Sequence, residues 1–210
     1  MNAPIRAVLF DCDGVLQRPA NDWAGEIGRL TGLLGGDLDD FLDAISTVEQ
    51  PVADGSRPYV DVLAEVLHDR GLEVSATELI DVWQHLFVDP FMLEAARVLQ
   101  DSGIRCALGT NQHRERAAYV RRELGYAAIF DPIVISAEIG AAKPDPEFFR
   151  IALARIGLPA EQVLFVDDVL ANVESARSVG LVAEHFAKDA GRHELDRILA
   201  LHDLAEPVAA

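Results

Sequence analysis

Cysteine, basic residues and long apolar runs are all scarce in this sequence. Its 210 residues include only two cysteines, Cys12 and Cys106, which is typical of a reducing compartment rather than of a disulfide framework. No run of about 18 apolar residues occurs, and the N-terminus lacks the layout of a signal peptide, so the sequence predicts no membrane span. Together these features favour a cytoplasmic protein.

Positive charge is the clearest shortage. Lysine and arginine number 18 against 35 aspartate and glutamate residues, which gives a formal net charge of −17 at pH 7. Clustered basic residues are needed to contact the phosphates of nucleic acids or the surface of an anionic membrane. The composition therefore argues against nucleic acids and membranes as partners.

What the sequence does contain is the mixture expected of a globular protein. Hydrophobic residues make up 50% of the chain and charged residues 25%, which is unlike the composition of disordered segments. The length fits one domain, or one domain that carries a smaller insert.

Short apolar runs and amphipathic segments alternate along most of the chain. The apolar runs predict buried strands at 5–10, 104–109, 132–135, 163–166 and 181–186, and helices are predicted at 92–101, 115–124 and 146–156. Continuous apolar strands suit a parallel sheet that is covered on both faces. The pattern predicts an α/β fold with a doubly wound, mainly parallel sheet.

Residues 21–88 interrupt this alternation because they contain no convincing strand. Four amphipathic helices are predicted there, the last one after a capping box from Ser75 to Glu78. The predicted apolar stripes consist of Trp23, Ile27, Leu30 and Leu34; Leu38, Phe41, Leu42 and Ile45; Tyr59, Val62, Leu63, Val66 and Leu67; and Leu79, Val82, Trp83, Leu86 and Phe87. We therefore predict an α/β core domain from residues 1–16 and 90–210 and a four-helix domain from residues 17–89.

Carboxylates follow two of the predicted strands at the point where each strand ends. Asp11 and Asp13 come after the first strand, and Asp167 and Asp168 come after the strand at 163–166. If the two strands are neighbours, all four carboxylates meet at the edge where ligands bind in such folds. Like charges so close favour a bound cation, and oxygen ligands with open positions suit Mg²⁺.

Two further polar residues suggest contacts to a phosphate. Lys143 precedes Pro144 and Asp145 in a loop that opens a helix, and a lysine there can offer a point charge to a phosphate. The hydroxyl of Thr110, at the end of the 104–109 strand, can donate to a phosphate oxygen. The alternatives left open at this point are a solvated surface lysine and a threonine that caps a helix.

Four segments together resemble the haloacid dehalogenase-like (HAD) hydrolase superfamily. They are Phe10-Asp11-Cys12-Asp13-Gly14-Val15-Leu16, Leu108-Gly109-Thr110-Asn111, Lys143-Pro144-Asp145-Pro146, and Phe165-Val166-Asp167-Asp168 followed by Asn172. They occur in the order and rough spacing of the family's four motifs. The resemblance implies a HAD-like Rossmannoid core and identifies the helical insert at 17–89 with the α-helical type of cap.

The resemblance also implies roles for individual residues. Asp11 would be the nucleophile that forms an aspartyl-phosphate, and Asp13 would protonate the leaving alcohol and then activate water. Thr110, Asn111 and Lys143 would bind the substrate, with Thr110 and Lys143 on the phosphoryl oxygens.

For Mg²⁺, the resemblance implies Asp11, the backbone carbonyl of Asp13, and Asp168 as ligands. Asp167 and Asn172 would support the site from behind these ligands. Successive side chains of a strand point to opposite sides, so only one of Asp167 and Asp168 can face the metal. This alternation agrees with the assignment of one aspartate as ligand and the other as support.

The leading interpretation is a Mg²⁺-dependent phosphatase that acts on a small phosphorylated metabolite. A phosphomutase and a 2-haloacid dehalogenase share the fold and the nucleophilic aspartate, and a catalytically idle binding or regulatory protein is a further alternative. Asp13 discriminates against the dehalogenase, which needs no acid to protonate an alkoxide. Contacts of Arg57 and His113 with the substrate stay open.

Overall fold

The computed structural model describes residues 3–188 and 190–204, apart from the side chain of Gln50, so residues 1, 2, 189 and 205–210 of the predicted core domain lie outside it. Seven strands occur in the described residues: β1 (Ala7–Phe10), β2 (Gln17–Pro19), β3 (Leu86–Val88), β4 (Arg105–Thr110), β5 (Ile133–Ile135), β6 (Val163–Asp167) and β7 (Val182–His185). Five of them form a parallel sheet in the order β5-β4-β1-β6-β7. The five predicted strands are thus confirmed, and the first one lies at the centre.

Helices cover both faces of this sheet. Because successive strand residues point to opposite sides, Val8 and Phe10 pack on one face while Ala7 and Leu9 pack on the other. The first face is covered by α5 (Pro90–Asp101), α6 (Arg114–Arg122) and α10 (Arg192–Leu201), and the second by α8 (Pro146–Ile156) and α9 (Leu170–Ser178), with the short α7 (Ser136–Ile139) after β5. The doubly wound α/β fold is therefore confirmed.

Helix α8 shows how local sequence sets an element's ends. Asp145 caps it by accepting a hydrogen bond from the backbone N–H of Glu147 at 2.8 Å, and Pro146 occupies the first turn, where no donor is needed. Gly157 ends the helix in the left-handed conformation, with a φ of 71°. The helix begins and ends at the predicted residues.

The segment between β2 and β3 folds into four helices, α1 (Trp23–Thr31), α2 (Gly35–Val52), α3 (Tyr59–Asp69) and α4 (Ala76–Val82). They share an apolar core of their own, built around Ile27, Phe41 and Leu63. The predicted capping box is present at the start of α4, where the Ser75 hydroxyl and the Glu78 carboxylate each bond the other residue's backbone.

Two predictions within this segment are wrong. Leu34 does not join the apolar stripe of α1 and is 79% exposed, because the helix ends at Thr31 and Gly32 turns the chain. The fourth helix stops at Val82, and Leu86–Val88 instead pairs antiparallel with Gln17–Pro19. The two connections between the helices and the sheet are therefore hydrogen-bonded to each other.

No helix in the described ranges combines the length and the apolar character needed to cross a bilayer.

The loop between α2 and α3 contacts the α/β core closely. Gly55 accepts a hydrogen bond from the Nε of Arg114 at 3.0 Å, and a Cβ atom added to Gly55 would lie 2.4 Å from the carbonyl oxygen of Ala137. The φ of Gly55 is 78°, a conformation that costs other residues about 1–2 kcal/mol. Glycine is thus required here for two separate reasons.

We expect Gly55→Ala to lower the free energy of unfolding by about 2 kcal/mol or more, because backbone strain and a steric clash add. Gly71→Ala is the matched control: its φ is 66°, but nothing lies within 4 Å of an added Cβ. That variant should lose only the strain, about 1 kcal/mol. Urea denaturation measures the free energy of unfolding of both variants. Equal decreases would show that the close approach of Gly55 to Ala137 does not add to the cost of the substitution.

Candidate active site

The candidate site lies where three neighbouring strands end. Strand β1 pairs with β4 on one side and with β6 on the other, and their carboxyl ends are in register at Phe10, Leu108 and Val166. A cavity of about 480 Å³ opens there between the sheet edge and the helices α1, α2 and α4. Residues from all four motif segments line it, among them Asp11, Asp13, Thr110, Lys143 and Asp168.

Lys143 is the central buried cation of the site. Its Nζ donates to Asp11 at 2.6 Å and to Asp167 at 2.7 Å. Burial raises the pKa of the Asp11 carboxyl, and the adjacent Lys143 charge offsets part of that rise. Burial alone would lower the pKa of Lys143, but the two carboxylates outweigh it and keep the ammonium charged. The Lys143 ammonium therefore forms ion pairs with two buried carboxylates, those of Asp11 and Asp167.

Asp167 is held on both of its oxygens. Oδ1 accepts from the backbone N–H of Val169 at 2.7 Å and from Asn172 Nδ2 at 3.0 Å, while Oδ2 accepts from Lys143. Asn172 therefore contacts Asp167, five residues earlier, rather than Asp168. This arrangement fixes the carboxylate that orients the lysine.

Asn111 uses its side chain to hold the Lys143 segment. Its Nδ2 donates to the carbonyl oxygen of Lys143 at 2.8 Å, and its Oδ1 accepts from the Lys143 backbone N–H at 2.9 Å. Both polar atoms of the amide are engaged in this way, although the residue also lines the cavity. The geometry gives Asn111 a role in positioning Lys143.

Asp13 faces three donors that the sequence did not reveal. Arg116 donates to its Oδ1 at 2.7 Å and Gln17 at 2.9 Å, and Gln112 donates to its Oδ2 at 2.6 Å. Burial raises the pKa of Asp13, but the Arg116 charge and the hydrogen bonds outweigh it, so its pKa lies below the usual value. In the sequence, Gln17, Gln112 and Arg116 appear only as polar residues that follow the first and second motif segments. Nothing in the sequence indicates that their side chains contact Asp13.

Gln112 also links the acid to the neighbouring hydroxyl. Its Nε2 contacts the Thr110 Oγ1 at 2.9 Å in addition to Asp13. Thr110 is buried at the end of β4 and lines the cavity. The hydroxyl is therefore held at a fixed place beside the carboxylates.

The two residues left open as substrate contacts have other partners. His113 is buried and caps α6 by accepting from the Arg116 backbone N–H at 3.4 Å, and its ring also contacts the Glu115 carboxylate at 3.0 Å. Arg57 is exposed and pairs with Glu65 at 2.7 Å. Neither belongs to the residues that line the cavity in the described structure.

The carboxylates fit a divalent cation by their chemistry. Asp11, Asp167 and Asp168 each offer an oxygen, and these atoms lie within 4.8 Å of one another. Burial and the nearby Asp167 charge raise the pKa of Asp168, and a cation bound beside this carboxylate would lower it again. A set of carboxylate oxygens suits a hard cation such as Mg²⁺ or Ca²⁺ rather than a metal that prefers sulfur.

Gly14 leaves room for the Asp168 side chain. A Cβ atom on Gly14 would lie 2.3 Å from Asp168 Oδ2, and the φ of Gly14 is 83°. The glycine that follows Asp13 therefore lets two strand ends approach closely enough to share one site.

Comparisons with known proteins agree with this geometry. The sequence profile of the haloacid dehalogenase-like hydrolases matches residues 5–180. A phosphorylated carbohydrates phosphatase from Thermotoga maritima is 30% identical over 84% of this chain and 82% of its own length. A phosphoglycolate phosphatase from Pseudomonas syringae is 26% identical over 89% of this chain and 72% of its own.

Solved structures add support for the fold. A HAD family enzyme from Bacteroides thetaiotaomicron, solved as a magnesium complex, superposes with a TM-score of 0.76 at 18% identity and covers 93% of this chain and all of its own. The motif residues, the sheet order and these relatives lead to one conclusion. The chain belongs to the haloacid dehalogenase-like hydrolases, and the relatives that it matches over most of its length include phosphoric monoester hydrolases.

Proposed function

We propose that the chain is a Mg²⁺-dependent phosphatase that hydrolyses a small phosphorylated metabolite through an aspartyl-phosphate on Asp11. The observation that carries the proposal is the grouping of Asp11, Asp13 and the buried Lys143 ammonium in one cavity at the sheet edge. That grouping offers a nucleophile, a group able to transfer protons, and a positive charge for phosphoryl oxygens. The relatives named as phosphatases support the same chemistry.

The proposed reaction has two displacements at phosphorus. In the first, an Asp11 oxygen forms a bond to phosphorus, the bond to the leaving oxygen breaks, and Asp13 gives that oxygen a proton. In the second, Asp13 takes a proton from water while the water oxygen attacks phosphorus, which releases inorganic phosphate and restores the Asp11 carboxylate. Asp13 ends each cycle protonated, ready for the next leaving group. Without substrate, Arg116 and the hydrogen bonds lower the pKa of Asp13, so in this proposal the negative charge of the bound phosphate keeps the proton on Asp13.

In this proposal, two residues donate hydrogen bonds to the negatively charged phosphoryl oxygens of the substrate. The Lys143 ammonium already contacts Asp11 at 2.6 Å, so it lies beside the attacking oxygen. The Thr110 hydroxyl, which Gln112 contacts at 2.9 Å, lies on the adjacent strand end. Donors that are fixed before the substrate arrives need no reorganisation during the reaction.

The residues that would hold Mg²⁺ are Asp11, the backbone carbonyl of Asp13, and Asp168. Bound there, the cation would supply positive charge between an anionic carboxylate and an anionic substrate. Asp167 is committed to Lys143, Asn172 and the Val169 backbone. We therefore assign Asp167 to support of the site rather than to direct ligation.

This assignment predicts different metal requirements for two neighbouring variants. Asp168→Asn should raise the Mg²⁺ concentration for half-maximal activity by about 10–100-fold or more, whereas Asp167→Asn should change it less. Calorimetric titration with Mg²⁺ alone measures the affinity independently of turnover. The opposite order of the two variants, or full activity in EDTA, would contradict the assignment.

We propose further that residues 17–89 act as a cap over the α/β core of residues 1–16 and 90–210. Trp23, Ile45 and Val82 from the helices line the same cavity as the catalytic carboxylates. A cap that closes over this cavity would exclude water from the reacting phosphate and contact the leaving group. Substrate choice would then depend on the helices rather than on the motif residues.

The function is tested by measuring phosphate release with Mg²⁺ from a panel of phosphorylated metabolites and from p-nitrophenyl phosphate. We expect turnover of the aryl phosphate and selectivity among the metabolites. Halide release from a 2-haloacid, or conversion of one phosphate isomer into another without release, would identify the alternative activities of the fold. The absence of phosphate release from every compound would overturn the proposal.

A further inference from the structure

Two of the three donors to Asp13 lie on one short segment, residues 112–116. Gln112 donates to Oδ2 of Asp13 at 2.6 Å, and Arg116 donates to Oδ1 at 2.7 Å. The Asp13 side chain faces the cavity and is 40% exposed, so hydrogen bonds rather than close packing fix its position. A shift of this segment would therefore move both donors, and the carboxylate with them.

The same segment is hydrogen-bonded to the loop between α2 and α3. Arg114 donates from Nε to the carbonyl oxygen of Gly55 at 3.0 Å. The Ser136 hydroxyl accepts from the backbone N–H of Gln112 at 2.9 Å and donates to the carbonyl oxygen of Ala53 at 2.5 Å. The segment that supplies the donors to the acid is thus also the segment on which this loop rests.

His113 forms a buried contact with the first residue of α3. Its ring centroid lies 4.7 Å from that of Tyr59, and the two residues are 2% and 0% exposed. The same ring caps α6, because it accepts from the Arg116 backbone N–H at 3.4 Å. Beside it, the Glu115 carboxylate accepts from the Val60 backbone N–H at 3.3 Å. The start of α6, which carries Arg116, is therefore held against the start of α3.

We propose that His113 and Tyr59 are positioning residues for Asp13, although neither of them lines the cavity in the part of the chain that the structure describes. Their contact holds the 112–116 segment in the place from which both donors reach the carboxyl. A misplacement of about 1 Å in a reacting group can lower a rate about 100-fold. The inference rests on the proposed phosphatase function, because it concerns the group that protonates the leaving oxygen.

Two aryl phosphates that differ in their leaving group test this role. Phenyl phosphate and p-nitrophenyl phosphate share a ring, but phenolate is the more basic leaving group and needs more help from an acid. His113→Asn removes the imidazole ring and keeps a side-chain acceptor at the N-cap of α6. With Mg²⁺ present, we expect its kcat/KM to fall about tenfold or more for phenyl phosphate, but about threefold or less for p-nitrophenyl phosphate.

Variants of Tyr59 test the other side of the contact. Tyr59→Leu removes the ring and should lower kcat/KM with the same dependence on the leaving group. Tyr59→Phe keeps the ring and should leave kcat/KM for both substrates within about twofold of the wild-type values. Because the two residues act through one contact, the variant that combines His113→Asn with Tyr59→Leu should lose about as much as the more damaging single variant.

Leu67→Ala is the matched control for loosened packing in the helices. Leu67 is 3% exposed and belongs to the same helix and the same apolar core as Tyr59. Its truncation weakens that core but leaves both rings of the contact in place. Any loss of kcat/KM should therefore be equal for the two substrates. A larger loss on phenyl phosphate would show that general loosening, rather than this contact, moves the acid.

The outcomes distinguish this inference from the function on which it rests. Equal losses on the two substrates in His113→Asn, or no loss on either, would overturn the positioning role, and so would additive losses in the combined variant. Wild-type protein that hydrolysed p-nitrophenyl phosphate but not phenyl phosphate would give no acid assistance to support, which would also overturn it. Failure of the wild-type protein to hydrolyse either compound would overturn the proposed function and this inference with it.

Discussion

Asp11→Asn is expected to lower phosphatase turnover by about 10⁴-fold or more while the protein stays folded. The amide has nearly the same shape as the carboxylate but lacks the negative charge needed to attack phosphorus. Asparagine can still accept a hydrogen bond from Lys143, which also keeps its bond to Asp167. The loss should therefore appear in kcat with p-nitrophenyl phosphate rather than in the circular dichroism spectrum.

A control for this variant is Asp101→Asn, at the exposed C-terminal end of α5. It makes the same chemical change away from the cavity and should retain full turnover. If purified Asp11→Asn kept more than a few per cent of the wild-type rate, Asp11 would not be the nucleophile.

Asp13→Asn is expected to slow turnover by about 10²–10⁴-fold, the range typical of general acid–base catalysis. The loss should be smaller for an aryl phosphate than for an alkyl phosphate, because a good leaving group needs less help from an acid. Arg116 and Gln17 can still donate to the oxygen of an asparagine at this position, whereas Gln112 must turn its amide to accept from the new N–H group. Comparing kcat/KM for the two substrates measures the difference.

Equal losses on the aryl and alkyl phosphates would argue against transfer of a proton to the leaving group. Arg116→Gln is a useful companion, because it removes the ion pair at 2.7 Å and leaves the Asp13 carboxyl in place. Since the Arg116 charge lowers the pKa of Asp13, this variant should raise that pKa. Because Asp13 must start the cycle protonated, the fall of kcat/KM on the alkaline side of the pH–rate profile should move to higher pH.

Local patterns were sufficient to predict the central sheet and most helices. Strands β1 and β6 consist almost entirely of apolar residues, and a strand buried on both faces requires that composition. Helix α8 was predicted at its observed bounds because Asp145, Pro146 and Gly157 carry separate start and stop signals. In these elements the physical cause lies within a few consecutive residues.

Other features depend on contacts between distant parts of the chain and left no local signal. Strand β2 is a short polar segment, Gln17–Pro19, and it becomes a strand only because Leu86–Val88 lies beside it. The donors to Asp13 include Gln112 and Arg116, which lie 99 and 103 residues away along the chain. The motif spacing could predict a shared edge, but it could not predict which side chains bond there.

The most direct test of the central claim is to trap the phosphorylated aspartate. Asp13→Asn should accumulate the intermediate with p-nitrophenyl phosphate and Mg²⁺, because the first displacement then needs little acid while the second lacks its base. Rapid quenching followed by borohydride converts an acyl-phosphate into homoserine, which peptide mass spectrometry locates. We expect homoserine at position 11. Phosphate release in the same variant with homoserine at another position, or at none, would contradict the proposed mechanism.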